Sequence, residues 1–437
     1  MDAAFGTAGI VKASLVSDQK DRFSAIAVGK DGKVYAAGLT SDGADQKIAV
    51  ARFSTDGKAD SAFGSGGVAS VNVSPNTNAD PTRQLEQARS LVFLSDGSVV
   101  AVGTAEHDAD AEGDAAKDTD IVAVRFDSSG EPDPDFGDDG VARFDVGTGH
   151  TVDEETYAGA DQGYGSAALP DGGLVIFGAT TAGSDREDND VVLLAVTDEG
   201  ELDSGFADDG VLQVESESGD SARHVRVVGD QIIATGYSDV KDGDTEVVQP
   251  VLIRTSLDGE LDDTFGDGGV ATAKVLNAVA ESYQFGVQGE KYVLTGYGTD
   301  TEGGKLDLIA YRFTKDGELD TTFGTDGLTK IDNIGEDDRG RNLVVLPDNR
   351  ILYVGSGKVD SANQQAMVVV LSADGKREAG YGNDGMILTD LGTPGDAWFG
   401  VALSPDGKTI FLAGYTNISS SDVKGDDAVL GRLTLSD

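Results

Sequence analysis

One short pattern returns seven times along this chain and limits what it can fold into. It reads "MDAAFGTAGIV" from residue 1, "ADSAFGSGGVA" from 59, "PDPDFGDDGVA" from 132, "LDSGFADDGVL" from 202, "LDDTFGDGGVA" from 261, "LDTTFGTDGLT" from 319 and "REAGYGNDGMI" from 377. Its aromatic positions, Phe5, Phe63, Phe136, Phe206, Phe265, Phe323 and Tyr381, lie 58, 73, 70, 59, 58 and 58 residues apart. A period of this size marks one supersecondary module repeated, not several unrelated domains.

Four β-like runs, A to D, fill each repeat, as in "DAWFGVALSPDG", "KTIFLAGYT" and "DAVLGRLTL" near the C-terminus, with the fourth following the aromatic motif elsewhere. A and B meet at Asp31-Gly32, Asp96-Gly97, Asp171-Gly172 and Asp406-Gly407, a dipeptide suited to tight hairpins. B ends on a glycine in every repeat: Gly38, Gly103, Gly178, Gly236, Gly296, Gly355 and Gly414. Small residues in A ("FSAIAVG", "FGVAL") suit the crowded centre of a radial array. Radial repetition of four-stranded antiparallel sheets is a β-propeller. The expectation is an all-β, seven-bladed propeller forming a single domain over 1–437, with blades 21–73, 86–146, 161–216, 220–275, 281–333, 338–391, and 396–437 plus 2–15. The chain opens with a lone D strand and closes with an A-B-C set, so the N-terminal strand is expected to complete the last blade and remove an open edge.

The run "RFTKDGELDTTFGTDGL" at 312–328 resembles the delta-60 repeat family of bacterial, mostly exported proteins, and "LSPDGKTIFLAG" at 403–414 is similar to general seven-bladed propeller repeats. The resemblance covers nearly the whole chain. It implies a propeller and export, and supplies no catalytic residues. Departures are Ala207 for the motif glycine, Tyr381 for phenylalanine, and Ala195 and Val370 where strand C otherwise carries Arg52, Arg125, Arg254, Arg312 or Arg432. That arginine is expected to pair with the acid of the following turn, Arg312 with Asp320 and Arg254 with Asp262.

With 78 acidic against 33 basic residues, the formal charge is −45, which repels nucleic acid and anionic lipid and attracts cations. No apolar run approaches the 18 residues or so that a membrane helix needs. The absence of cysteine excludes disulfides and Cys-based zinc or nucleophile sites, and fits an extracellular, cell-surface or periplasmic location. A monomer is expected.

Features shared by all repeats are most simply scaffold, so function is sought in what one or two repeats alone possess. Three inserted loops, 72–86, 104–119 and 145–160, flank the second blade on the face carrying the B-C and D-A connections. Variable loops on a rigid frame are where binding concentrates. In "DADAEGD", Asp108, Asp110, Glu112 and Asp114 take the spacing of the first half of a calcium loop with Gly113 at its turn, but position 12 is Thr119. Calcium is the one candidate cofactor. His107 and His150 sit in two of the inserted loops and are candidate binding residues.

An acid opens strand A in every repeat: Asp21, Glu86, Asp161, Asp220, Glu281, Asp338 and Asp396. A ring of seven carboxylates about 8 Å apart would repel by roughly 1 kcal/mol per neighbouring pair, so it needs protons, backbone donors or a cation. Backbone donors from an adjacent loop are the structural explanation; binding at a channel mouth is the functional one. No P-loop, zinc signature or nucleophile elbow is present. The leading reading is a non-enzymatic binding or scaffold propeller that presents its acidic variable face to a protein, glycan or cation. A metal-dependent hydrolase or lyase at the channel mouth, and a structural spacer, are the alternatives.

Overall fold

The computed structural model describes residues 1–13, 15, 21–41, 45–75, 85–108, 118–147, 150–152, 155–157, 159–181, 188–214, 219–242, 245–420 and 423–434, with side chains except at 150–152, 155–157, 242, 245–246, 417–420 and 423–426. Every regular element among them is a β-strand. The chain forms two compact units, Ser14–Ala234 with Thr255–Glu260, and Met1–Ala13 with Thr235–Arg254 and Leu261–Asp437.

The first unit holds three four-stranded antiparallel sheets, each ordered A-B-C-D. They are Arg22–Val28, Val34–Ser41, Gln46–Phe53 and Val68–Val71; Gln87–Phe93, Val99–Glu106, Thr119–Phe126 and Val141–Phe144; and Gln162–Ala168, Leu174–Thr181, Asn189–Val196 and Val211–Val214. A further A strand, Asp220–Val228, packs beside Gln162–Ala168. A short hairpin pairs His150–Val152 with Glu155–Tyr157.

In the second unit, strands Thr245–Ser256 and Val270–Thr272 form one sheet with Gln284–Gln288, Lys291–Thr299, Asp307–Phe313 and Leu328–Ile331, because the two-residue strand Val279–Ala280 pairs with both Val248 and Thr299. Two four-stranded sheets follow. One runs Arg339–Val345, Ile351–Lys358, Gln364–Leu371, Met386–Thr389. In the other, Ala397–Leu403, Thr409–Ser420 and Val423–Thr434 are completed by Ile10–Ala13, with Ile10 opposite Gly431 and Ala13 opposite Ala428.

B and C strands read as almost unbroken apolar runs because neighbouring sheets within each unit pack against them. Ala37, Ile48 and Val50 of the first sheet pack with Ala101, Val122 and Val124 of the second. In the other unit, Val293, Leu308 and Ala310 pack with Leu343, Ile351 and Tyr353. The glycine of strand B answers a specific geometry. Strand A slips register once in several sheets, between Ala88 and Ser90 for example, and its carbonyl then presses on strand B. A Cβ on Gly103 would lie 1.9 Å from the Gln87 carbonyl oxygen.

The recurring aromatic motif is a compact turn. In "DDTFGDGGV", the Phe265 N–H donates to the Asp262 carbonyl at 2.9 Å and the Gly269 N–H to the Phe265 carbonyl at 2.9 Å. Phe5, Phe63, Phe136, Phe206, Phe265 and Phe323 are buried. The residue after the aromatic is left-handed, with φ 57° at Gly266, and its N–H points outward to the C-D turn of the next sheet. Gly64, Gly137, Ala207, Gly266 and Gly324 donate in this way to the carbonyls of Ser129, Glu199, Asp258, Asp316 and Asp374, at 2.6 to 3.0 Å. Ala207 keeps this conformation with φ 43°; the adjoining Asp208 N–H to Val211 carbonyl bond is 3.2 Å, against 2.8 Å for Asp267 to Val270.

A Cβ on Gly266 would stand 2.2 Å from the Val270 carbonyl oxygen. Gly266→Ala is therefore expected to lower unfolding free energy by at least about 1 kcal/mol, the cost of a left-handed L-residue, as read by denaturant titration. Ala207→Gly should be close to neutral, since relief of strain is offset by the roughly 0.5–1 kcal/mol of extra chain entropy that glycine carries. A neutral Gly266→Ala would remove this explanation of the motif.

Candidate functional site

The acids that open the A strands are mostly buried. Asp21, Asp161, Asp338 and Asp396 are 0% exposed, Glu86 1% and Asp220 8%, while Glu281 is half-buried. At Asp21, Glu86, Asp161, Asp338 and Asp396 the carboxylate oxygens receive donors from the loop just before strand A or from strand B. Asp21 accepts from the Leu15 N–H at 2.7 Å and the Thr40 hydroxyl at 2.6 Å. Asp161 accepts from the N–H groups of Val146 and Gly147. Asp338 accepts from Asn333 N–H at 2.7 Å and Lys358 N–H at 3.0 Å. Asp396 accepts from Leu391 N–H at 2.6 Å and from the hydroxyls of Thr393 and Thr416, each at 2.7 Å. Glu86 accepts from the N–H groups of Val73 and Ser74. Desolvation outweighs these donors at three positions, pushing Glu86 up to about 8 and Asp161 and Asp338 up to about 6; nearby Glu106 and Asp45 add to the rise at Glu86.

The three inserted loops rise from a polar network in the second sheet. Arg143, on strand D, ion-pairs with Asp120 of strand C at 2.5 Å and donates to the Glu106 carbonyl at 2.8 Å. Its other nitrogen donates to the Ser74 hydroxyl at 2.8 Å and the Val73 carbonyl at 3.2 Å. The Leu85 N–H donates to Glu106 at 2.6 Å. One guanidinium thus ties down the feet of loops 72–86 and 104–119. At the upper edge, His107 Nδ1 lies 2.9 Å from Asp120 and 3.9 Å from Asp145, so that His107, Asp120 and Asp145 place ligand-type atoms within 4.8 Å of one another. The Asp120 hydrogen bond, with Asp118 and Asp145 nearby, raises the His107 pKa above its usual 6.5. Asp118 adds a buried Oδ1 that has no hydrogen-bond partner among the described residues, and desolvation raises its pKa.

Of the loop residues singled out in the sequence, Asp108 is exposed beside His107, whereas Asp110, Glu112 and Asp114 lie outside the described residues. His150 opens the short hairpin opposite Tyr157, and its side chain lies outside the described set.

Two stretches, 29–63 and 291–323, match the family described as "Domain of unknown function (DUF5122) beta-propeller". Solved structures agree in architecture. Semaphorin 2a of Drosophila aligns over 98% of this chain and 75% of its own, with a TM-score of 0.53 at 9% identity. The polysaccharide lyase Uly1 aligns over 95% of this chain and 90% of its own, with a TM-score of 0.50 at 12% identity. The fold is a β-propeller. At these identities the likeness concerns the propeller fold alone, and the matched repeats place the chain with propeller repeat proteins. No curated protein matches the chain in sequence.

The A strands carry a second feature that the sequence reading missed by attending to their small residues. In the first unit, the guanidinium carbons of Arg89 and Arg223 lie 4.5 and 4.9 Å from the Tyr164 ring centre. In the second, Arg341 lies 4.7 Å from Tyr283, 5.0 Å from Phe399 and 5.3 Å from Tyr297. The signal was present in "QARS", "SARHVR" and "DRGR", where arginine falls on the strand expected to be innermost. Asp307, Asp332 and Asp338 form another acidic group in that unit, with the Lys330 ammonium 2.8 Å from Asp307.

Glu86 supplies a pH test. Its ordinary value of 4.5 is raised to about 8 on folding, so between these values the folded chain holds a proton that the unfolded chain has lost. Its contribution to stability therefore falls as pH rises from 4.5 to about 8 and is level above. Glu86→Gln should flatten the decline in unfolding free energy between these pH values, measured in urea. An unchanged slope would show that Glu86 is ionised in the folded protein.

Proposed function

We propose that the protein is a seven-bladed propeller, closed by its N-terminal strand, that works as a non-enzymatic binding or scaffold module of an exported or cell-surface protein. Its variable acidic face, around the first three blades, is presented to a protein, a glycan or a cation. The observation that carries this reading is the Arg143 network. It holds loop feet at 73–74, 85 and 106–107 on rigid strands, which is how a binding surface is kept in register. Of the strand-opening acids Asp21, Glu86, Asp161, Asp220, Glu281, Asp338 and Asp396, Glu86 and Asp161 accept N–H groups at 73–74 and 146–147 and act in binding by holding those loop feet in place.

A divalent cation is the simplest first ligand. Asp108, with Asp110, Glu112 and Asp114, forms the calcium candidate by sequence spacing, and His107, Asp120 and Asp145 bring further ligand-type atoms together next to Asp108 in the chain. A net charge of −45 favours any cation that these groups bring together.

Calcium titration followed by thermal melting tests the reading. Millimolar calcium should raise the melting temperature of the full chain by about 3–6 °C, and Asp108→Asn combined with Asp110→Asn should cancel the rise. An unchanged melting temperature would remove calcium from the account. Calcium-dependent turnover of a glycan would instead support the metal-dependent hydrolase or lyase.

A further inference from the structure

Six of the seven motif aromatics carry an arginine on their ring, and the exception is singular. Guanidinium carbons lie 5.2 Å from Phe5 (Arg432), 4.6 Å from Phe63 (Arg52), 5.8 Å from Phe136 (Arg125), 4.3 Å from Phe265 (Arg254) and 4.9 Å from Phe323 (Arg312). In the sixth repeat strand C offers Val370 instead, and Arg350 from the A-B turn takes over, 5.2 Å from the Tyr381 ring and paired with Asp348. In the third repeat strand C offers Ala195, and among the described residues no cation covers Phe206.

The backbone there is unchanged. Ala195 N–H donates to the Gly210 carbonyl at 3.0 Å and its carbonyl accepts from Asp203 N–H at 2.9 Å; the corresponding bonds at Arg125 are 2.9 Å to Gly140 and 3.0 Å from Asp133. The arginine's acidic and carbonyl partners also remain, although the Ser98 hydroxyl that receives Arg125 Nε at 3.0 Å has Gly173 as its counterpart. Arg125 pairs through Nε with Asp133 at 3.0 Å, through a terminal nitrogen with Asp96 at 2.7 Å, and donates to the Asp198 carbonyl at 2.6 Å. By position in the repeat, the counterparts are Asp203, Asp171 and Leu257, with Phe206 for Phe136. All four line a cavity of about 180 Å³. Asp203 spends Oδ1 on the Gly205 N–H at 2.9 Å, as Asp60 spends Oδ1 on Ala62 while its Oδ2 takes the Nε of Arg52.

We propose that this cavity is a receptor for a guanidinium group supplied from outside the chain, either the arginine side chain of a protein partner or a free small guanidinium compound. The planar cation lies on the Phe206 ring and donates to Asp203, Asp171 and the Leu257 carbonyl. An ammonium fits poorly, because it lacks the flat face and the forked donors that the other repeats use. The site lies in the third repeat on the side of the C-D turns, apart from the inserted loops, so it stands or falls independently of the calcium candidate.

Isothermal titration calorimetry on the full chain decides it. N-acetyl-L-argininamide, which mimics a protein side chain, and agmatine, a free guanidinium, are compared with N-acetyl-L-lysinamide. At least one guanidinium compound should bind with a dissociation constant of about 1 mM, and the lysine analogue at least about tenfold more weakly. The tighter of the two guanidinium compounds identifies the source. Ala195→Arg, which refills the cavity from within, should abolish binding and raise the melting temperature. Asp203→Asn keeps the shape and should also abolish binding, so the test survives if Ala195→Arg does not fold. Absence of heat from both guanidinium compounds at about 20 mM, equal binding of the lysine analogue, or binding that persists in Asp203→Asn would overturn the proposal.

Discussion

The structure depends on one backbone hydrogen bond repeated from sheet to sheet. In five of the copies the residue after the motif aromatic turns left-handed and donates its N–H to the C-D turn of the following sheet, as Gly266 does to Asp316 at 3.0 Å. The receiving turn is fitted to the ring it meets. A Cβ on Gly259 would lie 2.8 Å from Phe206, and one on Gly375 2.8 Å from Phe323. Close approach lets the strand C arginine of one sheet reach a carbonyl of the next, as Arg254 reaches Lys315 at 2.7 Å. A four-stranded sheet cannot bury both faces alone; this contact sets the spacing at which its neighbours bury them, and stability accrues as a series of nearest-neighbour interfaces.

Much of this was legible because a repeat writes its scaffold several times. The strands, the Asp-Gly hairpins, and the pairing of Arg312 with Asp320 at 2.7 Å and of Arg254 with Asp262 at 2.8 Å follow from the spacing of the copies. Less could be read where different segments meet. Arg143, Asp120 and Ser74 belong to separate stretches, and nothing in the sequence announces that they share one network. Replacement of the strand C arginine by Arg350 in the sixth repeat was equally hidden, because the guanidinium arrives from the A-B turn. Burial of the strand-opening acids depends on where the D-A loops fold back. Reading strand A for its small residues passed over Arg89, Arg223 and Arg341.

The acid-rich composition divides accordingly. Many carboxylates belong to the frame: Asp60, Asp133, Asp262 and Asp320 hold arginines across the turns, and Asp21, Asp161, Asp338 and Asp396 secure loop backbones. Recurrence marks these as scaffold, and binding chemistry is to be sought where one repeat departs from the rest. The inserted loops of the second repeat and Phe206 of the third, which no cation covers among the described residues, are two such departures, and both are proposed as cation sites.

A crystal structure of the full chain grown with calcium and N-acetyl-L-argininamide tests this division most directly. The expected result is an ion at the loops beside His107 and Asp108 and a guanidinium stacked on Phe206, with the seven repeated turns free of ligand. Ions seated on the repeated turns, with both singular sites bare, would contradict it.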